Sequence, residues 1–526
     1  MPRTMLPGLP PELIADIFAH LDLQSILRCT QVCHLLLNIV SETPSLRYRI
    51  MLELHAQEDS GCLPEVSTEC LIGGLSLYAS RWDNLDFGVE YNIPMRKGNY
   101  WELCGNVLAQ TIPKSSSIEF NQIAAYARGI KAGGTWCVRL NFNFRAARES
   151  DFGIDPAQDL LIVVENTYWR KGFVPAEEAG YLFHIRHIRT TSIHPKTTLK
   201  PAVVRISARN PDAHVSFSIK IAGDFFGVRV ELTTGALDEL RIWNWKTGAL
   251  HLHLTGERNE MHSFAFLSET HVLIAVQPTS FDDHPYLKII AFDEPTPTPT
   301  RVAHWRTQYT LALDLPPLKY NLVLGDIRLD SEASPSWRPG SKHYVPFSSD
   351  PQAHVCVVTI LLANMRDGCS IAISLETFQK HMRQVKPRES VRLAWGLWGP
   401  LGSRLLEPDC RLFADWEFDI RVYGTRYVTP IRNRDGEVFL AVHDFNQRAA
   451  RKAASTVEET SPEGGMEVLH KPSTSSLKMF KRPVTTQLPY RRVLLPLPVD
   501  ARLDGLLVTE DALLPFVDGR FVVIAV

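Results

Sequence analysis

The chain is 526 residues long, several times the size of one ordinary domain, so two or three folding units are expected, one of them large. Apolar residues make up 45% and charged residues 22%, a balance that excludes wholesale disorder and fibrous classes. The 56 basic residues nearly cancel the 58 acidic ones, so no whole-chain field draws the protein to nucleic acid or to an anionic membrane, and neither is expected as a partner; only local patches stay open.

No apolar run approaches the ~20 residues needed to span a bilayer, and no basic region with an apolar stretch and a cleavage site opens the sequence, which gives the expectation of a cytoplasmic or nuclear protein. The nine cysteines are scattered without a C-x-x-C pair, which favours reduced thiols. Cys29 and Cys33 share a helix face, but no nearby His or Cys pair completes a tetrahedral zinc site, so they read as structural thiols.

Along the chain, Leu9-Pro-Pro-Glu-Leu-Ile-Ala-Asp-Ile-Phe-Ala-His-Leu21 places apolar residues at 13, 14, 17, 18 and 21, the spacing of one helical stripe. Pro10 and Pro11 mark its start, because proline is tolerated only in a first turn, and Glu12 and Asp16 suit the N-terminal dipole. A helix over about 11–20 follows. Asp22 is the N-cap of a second helix carrying Ile26 and Leu27; Thr30 opens a third with Val32, Leu35, Leu36, Ile39 and Val40, ended by Pro44. Three helices this short cannot bury both faces among themselves, so apolar surface is left for a partner.

The run L-P-P-E-L-I-x-x-I-F-x-x-L-D-L-x-S-I-L-R-C-x-x-V-C resembles an F-box in order, spacing and residue type over roughly residues 6–47. The resemblance implies a three-helix F-box domain over 1–50 that binds a Skp-family adaptor and through it a cullin. By it, Leu9, Pro10, Leu13, Ile17, Leu21, Leu27 and Val32 map onto positions that form the small core or face the adaptor; the sequence does not separate the two roles. Leu36 and Arg47 stand where the family often carries tryptophan. Helical patterning continues through Leu46–Leu54 and Leu75–Trp82, and the opening down to Asp86-Phe87 is similar to that of large fungal F-box proteins. Residues 51–90 are read as a helical linker.

After about residue 90 the pattern changes to short alternating or β-branched runs bounded by Gly, Pro, Asn and Asp, such as His214–Ile221, Phe225–Leu232, His271–Val276 and His354–Leu361. Leu240–Trp245, Phe264–Phe266, His271–Val276 and Leu287–Asp293 read as one four-strand blade, with Ile-Trp-Asn-Trp resembling the closing strand of a WD-type repeat. Residues 91–526 are therefore expected to form a β-propeller-like substrate-binding domain, the chain as a whole being mainly β with a small α N-terminal domain. The length suits about seven blades at roughly 45–60 residues each, with a pair of β-sandwiches as the alternative. Glu294–Thr300 reads as a polyproline-type loop, and a polar stretch at about 448–488 as a disordered insertion.

No phosphate-binding glycine loop, nucleophile elbow or H-E-x-x-H helix occurs. His184 and His187 would point to opposite faces of a strand, and His251 and His253 lack a third ligand, so no catalytic residue, metal or cofactor is assigned. The resemblance implies a non-catalytic substrate-recognition adaptor of a Skp-cullin-F-box ubiquitin ligase, with an unidentified protein substrate; the alternatives are a ligase-independent interaction scaffold and a propeller hydrolase with a helical cap. Arg241, Lys246, Arg258 and Arg421 are the basic candidates for a phosphorylated substrate.

Overall fold

The structure, a computed structural model, describes residues 8–526 apart from 62, 64, 97–99, 131–133, 142–150, 168–179, 208–214, 233–236, 279–283, 304–308, 321, 333–344, 365–366, 387–388, 409, 413–417, 434, 457–465 and 498–502. It opens with five helices: α1 (Pro11–Ala19), α2 (Leu23–Thr30), α3 (His34–Glu42), α4 (Pro44–Leu54) and α5 (Thr68–Asn84). Proline occupies the first turn of α1 and α4, where its missing N–H costs nothing. Asp22 caps α2 by accepting from the Ser25 amide, and Ser67 caps α5 by accepting from the Cys70 amide. Thr30 closes α2 instead of opening α3: its hydroxyl turns back onto the Leu27 carbonyl at 2.7 Å, and α3 starts only after Cys33.

Seven antiparallel blades of four or five strands follow, which decides for a propeller over paired sandwiches. Blade one spans 101–139, blade two 152–207, blade three 215–257 and blade four 261–314, and blades five and six span 324–406 and 422–496. Blade seven joins the strands 503–508, 512–517 and 520–525 to Val89–Pro94, which comes from just after α5, and to Phe418–Ile420. Val89 pairs with Ala525 and Pro94 with Arg520, so a strand from before blade one completes the last blade and closes the ring. Three further helices decorate the ring: α6 (Leu375–Met382), α7 (Trp395–Gly402) and α8 (Gln447–Thr456).

Three readings of the β region change. The stretch read as one blade at 240–293 straddles two: Leu237–Asn244 is the third strand of blade three, with Leu250–Glu257 beside it, whereas 261–291 begins blade four. The Pro-Thr repeat is not a loop, because Thr296–Arg301 pairs in parallel with Leu250–Glu257 as the outermost strand. Proline is admissible there, since an edge strand needs donors on one side only. The insertion at about 448–488 is ordered wherever it is described: α8 occupies its start, and the hairpin Ser473–Ser475 with Val484–Thr486 straps the outer edge of blade five. Its scattered apolar residues are its anchors, with Met479, Phe480, Val484 and Leu488 all buried. The guanidinium of buried Arg404 donates to the carbonyls of Leu488 at 2.7 Å and Lys471 at 3.2 Å, holding both ends of the strap. Residues 457–465 lie outside the described residues.

The linker helices are seated on the ring. Tyr48, Leu52, Leu75, Tyr78 and Trp82 share one buried cluster with Val428 and Leu440 of blade six and Leu506, Leu513 and Val526 of blade seven. Tyr78 Oη and Trp82 Nε1 both donate to the Glu510 carbonyl, at 3.0 and 3.2 Å, and Arg491 pairs with Asp83 at 2.9 Å.

If the strap is part of the core, deleting 471–488 removes four buried apolar side chains, a loss on the order of 5 kcal/mol against a total of roughly 5–15 kcal/mol. The deletion should cost most of the soluble yield or lower the melting temperature by many degrees. Unchanged melting would show that the strap carries no stability.

Candidate functional site

The F-box region sorts its apolar residues into two sets. Ile14, Phe18, Ile26, Leu36, Ile39, Val40 and Leu46 form its buried core, with Leu9, Leu21, Cys29 and Cys33 partly buried against it. Leu13 (50%), Ile17 (39%), Leu27 (44%), Val32 (72%), Leu35 (41%) and Leu37 (43%) are exposed. The physical reason is angular. Leu13 and Ile17 lie one turn apart on α1, while Ile14 and Phe18 lie about 100° round, so the inward face of α1 is filled by the second pair. Arg49 locks this arrangement by donating from α4 to the Ala19 carbonyl at 2.5 Å and the Leu21 carbonyl at 2.6 Å, which caps the end of α1.

Of the residues read as core or adaptor-facing, Leu13, Ile17, Leu27 and Val32 therefore stand on the outside, Leu9 and Leu21 support the core, and Pro10 is the exposed N-cap of α1. Leu35, read only as part of the third helix's apolar register, joins the outer set, as does Leu37, which was not singled out; three consecutive leucines on α3, only the middle one buried, were the signal. Leu36 fills the core where the family often places tryptophan.

The four basic candidates separate as well. Arg241 pairs with Glu239 at 2.6 Å, Lys246 pairs with Asp224, and Arg258 is exposed on the turn between blades three and four. Arg421 is fully buried, held by Asp419 at 2.7 Å and Asp330 at 3.3 Å, so it is a structural cation and not a surface receptor for phosphate. The histidines are likewise engaged: His184 meets Glu165 at 2.8 Å, His251 the Phe292 carbonyl at 2.8 Å, and His253 Glu239 at 3.3 Å. Among the described residues no group of three His, Cys, Asp or Glu side chains is arranged to hold a metal.

The ring axis holds a cavity of about 370 Å³ lined by innermost strands and their neighbours, including Trp101, Glu102, Asp151, Lys220, Asp330 and Asp419. Burial raises the Glu102 carboxyl to about 8, with Asp151 adding to it, and raises Asp151 to about 7. Burial also raises Asp419 to about 6 against the pull of Arg421. Burial alone would lower Arg421, but the Asp419 carboxylate holds it above the ordinary value. The axis is thus acid-rich, with Glu102 and Asp151 held partly protonated near neutrality.

An F-box-like family model matches residues 6–53. The chain thus carries an F-box-like domain followed by a seven-bladed β-propeller. No curated protein matches. Among solved structures, Kluyveromyces lactis Hsv2p is 11% identical over 51% of this chain and 90% of its own, with a TM-score of 0.20. The β-propeller domain of Vanderwaltozyma polyspora Nup133 is 8% identical over 83% and 98%, with a TM-score of 0.33. A protein from Lactobacillus plantarum is 11% identical over 76% and 89%, with a TM-score of 0.28.

An acid whose folded pKa lies above its unfolded value stabilises the fold below the unfolded value and loses that contribution as pH rises through the folded one. From the ordinary values of 4.5 and 3.8 to about 8 for Glu102 and about 7 for Asp151, that loss runs across about pH 4–8 and is completed just above neutrality, where Glu102 alone still contributes to it. The protein should melt at a lower temperature at pH 8 than at pH 7, and Glu102→Gln should shrink the difference in a calorimetric comparison. An equal drop in the variant would show that Glu102 is not linked to folding.

Proposed function

We propose that the protein is the substrate-recognition subunit of a Skp-cullin-F-box ubiquitin ligase. F-box domains generally bind Skp1-type adaptors, and this chain carries an F-box-like domain at 6–53. The observation that carries the reading is the outer apolar set on α1–α3: six large side chains with no covering element, on a small domain whose own core is already filled. Covering them would contribute on the order of 1 kcal/mol each, given that they are about half exposed. Leu13, Ile17, Leu27 and Val32 are the central contacts; Leu9 and Leu21 hold α1 in place, and Pro10 fixes where it begins.

Catalysis belongs to the partners. The adaptor's task is proximity: holding a substrate lysine near a thioester-bound ubiquitin raises its effective concentration, which demands affinity and a fixed geometry but no acid–base group. The seated linker supports this reading, because α4 and α5 are packed into blades six and seven and not tethered by a flexible segment. Turns of an antiparallel blade alternate between the two faces of the ring. Those at Gly424-Thr425 and Thr509–Asp511 lie under the helices, so the opposite face is the one free for substrate.

The test is titration of the full chain with a purified Skp1-type adaptor. Leu13→Asp with Ile17→Asp should weaken binding about 100-fold or more while leaving thermal melting unchanged. Phe18→Ala, by contrast, should lower the stability of the helical region by about 3–5 kcal/mol. Wild-type protein that fails to bind the adaptor would leave a ligase-independent scaffold as the function.

A further inference from the structure

Outside the F-box region, four large apolar side chains stand far out of the surface: Tyr320 (75%), Val323 (70%), Leu397 (69%) and Leu401 (65%). Leu397 and Leu401 lie one turn apart on α7, whose other side is committed to the ring through buried Trp398, its indole donating to the Asp314 carbonyl at 3.0 Å. Tyr320 and Val323 belong to the loop that leaves the last strand of blade four and enters the first strand of blade five.

The strap joins the two points. Lys319 donates its amide to the Met479 carbonyl at 3.0 Å and Lys481 to the Pro317 carbonyl at 2.9 Å; further on, Gln487 donates to the Pro400 carbonyl at 2.9 Å. From Lys481 to Gln487 an extended chain spans no more than about 20 Å. Leu318, Trp398, Met479, Phe480 and Val484 lie beneath in one buried cluster, so loop, strap and α7 form one continuous piece of surface.

The charge of this surface is mainly of one sign. Leu315–Gly325, Trp395–Leu406 and Lys471–Arg492 contain no acidic residue. Lys319, Lys471, Lys478 and Arg482 are exposed, and the Lys481 ammonium lies 3.4 Å from the centre of the Tyr320 ring. At the margins Asp314 is paired with Arg392 at 2.7 Å, while Asp367 and Glu407 are exposed carboxylates beside Leu322 and Lys478, so the patch keeps a positive excess from Lys319, Lys471, Lys478, Lys481 and Arg482.

We propose that this patch is a peripheral docking face for an anionic membrane surface. Cations attract anionic headgroups over a Debye length, and protruding Leu, Val and Tyr side chains then enter the headgroup boundary. The apolar points are separate and have basic chain between them, an arrangement that suits a deformable plane better than the single recess of a rigid protein partner. Tyr320 has an apolar ring with a polar end, the type of side chain that settles at a membrane–water boundary. Topology agrees. The 315–323 loop runs from an outer strand to the next inner strand, and the strap and α7 lie against the outermost strand of blade five, so the patch sits at the outer rim of the ring, beside the face left free for substrate. No helix among the described residues is long and apolar enough to cross a membrane, so the contact is peripheral.

The experiment is vesicle flotation of the full chain. It should float with phosphatidylcholine vesicles containing about 30% phosphatidylserine, stay behind with pure phosphatidylcholine, and be released at about 0.5 M salt. Leu397→Asp with Leu401→Asp, and separately Lys478→Glu with Arg482→Glu, should each reduce the floated fraction about tenfold at unchanged melting temperature. Absence of flotation, equal flotation with neutral vesicles, or wild-type flotation by both double variants would overturn the proposal. So would a wild-type chain that ignores vesicles but loses an acidic protein partner, found by cross-linking, when these residues are changed.

Discussion

The pairing of Val89–Pro94 with Arg520–Ala525 is the constraint on which the rest of the molecule depends. Bringing together strands roughly 430 residues apart costs about 5 kcal/mol of chain entropy, and the six-residue ladder alone does not obviously exceed it. The neighbouring turn supplies the remainder. Arg128, from blade one, donates to Asp511 at 2.8 Å and pairs with Glu510 at 3.0 Å, all three nearly inaccessible to water. The same turn offers its Glu510 carbonyl to Tyr78 and Trp82 of α5. Ring closure and the seating of the helices therefore share one set of atoms, and the orientation of the F-box region is tied to the integrity of the ring.

Buried arginines recur at the other joints. Arg421 lies between Asp419, beside blade seven, and Asp330 of blade five; Arg404 ties the strap to blade five; Arg491 meets Asp444 and Asp83, linking blade six to α5. A buried ion pair is a poor source of net stability, because desolvation offsets most of its attraction. Losing one partner costs roughly 3–5 kcal/mol, however, which makes each pair a strong discriminator against misplaced blades. A ring whose strands all have similar β-branched composition needs such discrimination, since apolar faces alone would pack in several registers.

The helical opening was legible because its signals are local: prolines at the starts of α1 and α4, Asp22 three residues before Ser25, and apolar residues at helical spacing. Which of Leu13, Ile14, Ile17 and Phe18 face inward was not legible, since a stripe that wide can be turned either way and the choice is made by Leu36, Ile39 and Leu46. Individual strands were also legible from alternation, but their grouping was not. The step from Leu250–Glu257 to Met261 is a tight turn like those inside a blade, so nothing local announces a new sheet. The Pro-Thr repeat is extended in solution and in an edge strand alike, and only its partner at Leu250–Glu257 decides between them. The strap was misjudged for a similar reason: its anchors are few, and Arg404, which holds its backbone, lies far away in sequence.

Net charge left local patches open for a similar reason, because a sum over the chain ignores where folding puts each sign. Glu119, Asp155, Glu165, Asp238, Glu260, Asp444, Glu510 and Asp511 are buried, against Arg128, Lys288, Arg404, Arg421 and Arg491. More negative than positive side chains are thus withdrawn from the surface, and those lining the axis, such as Glu102 and Asp151, are held partly protonated by burial. Three acid-free stretches, distant in sequence, then meet at the junction of blades four and five. A local excess of positive charge arises there from a chain that is almost neutral overall, and at a separation below a Debye length it is the local field that a partner meets.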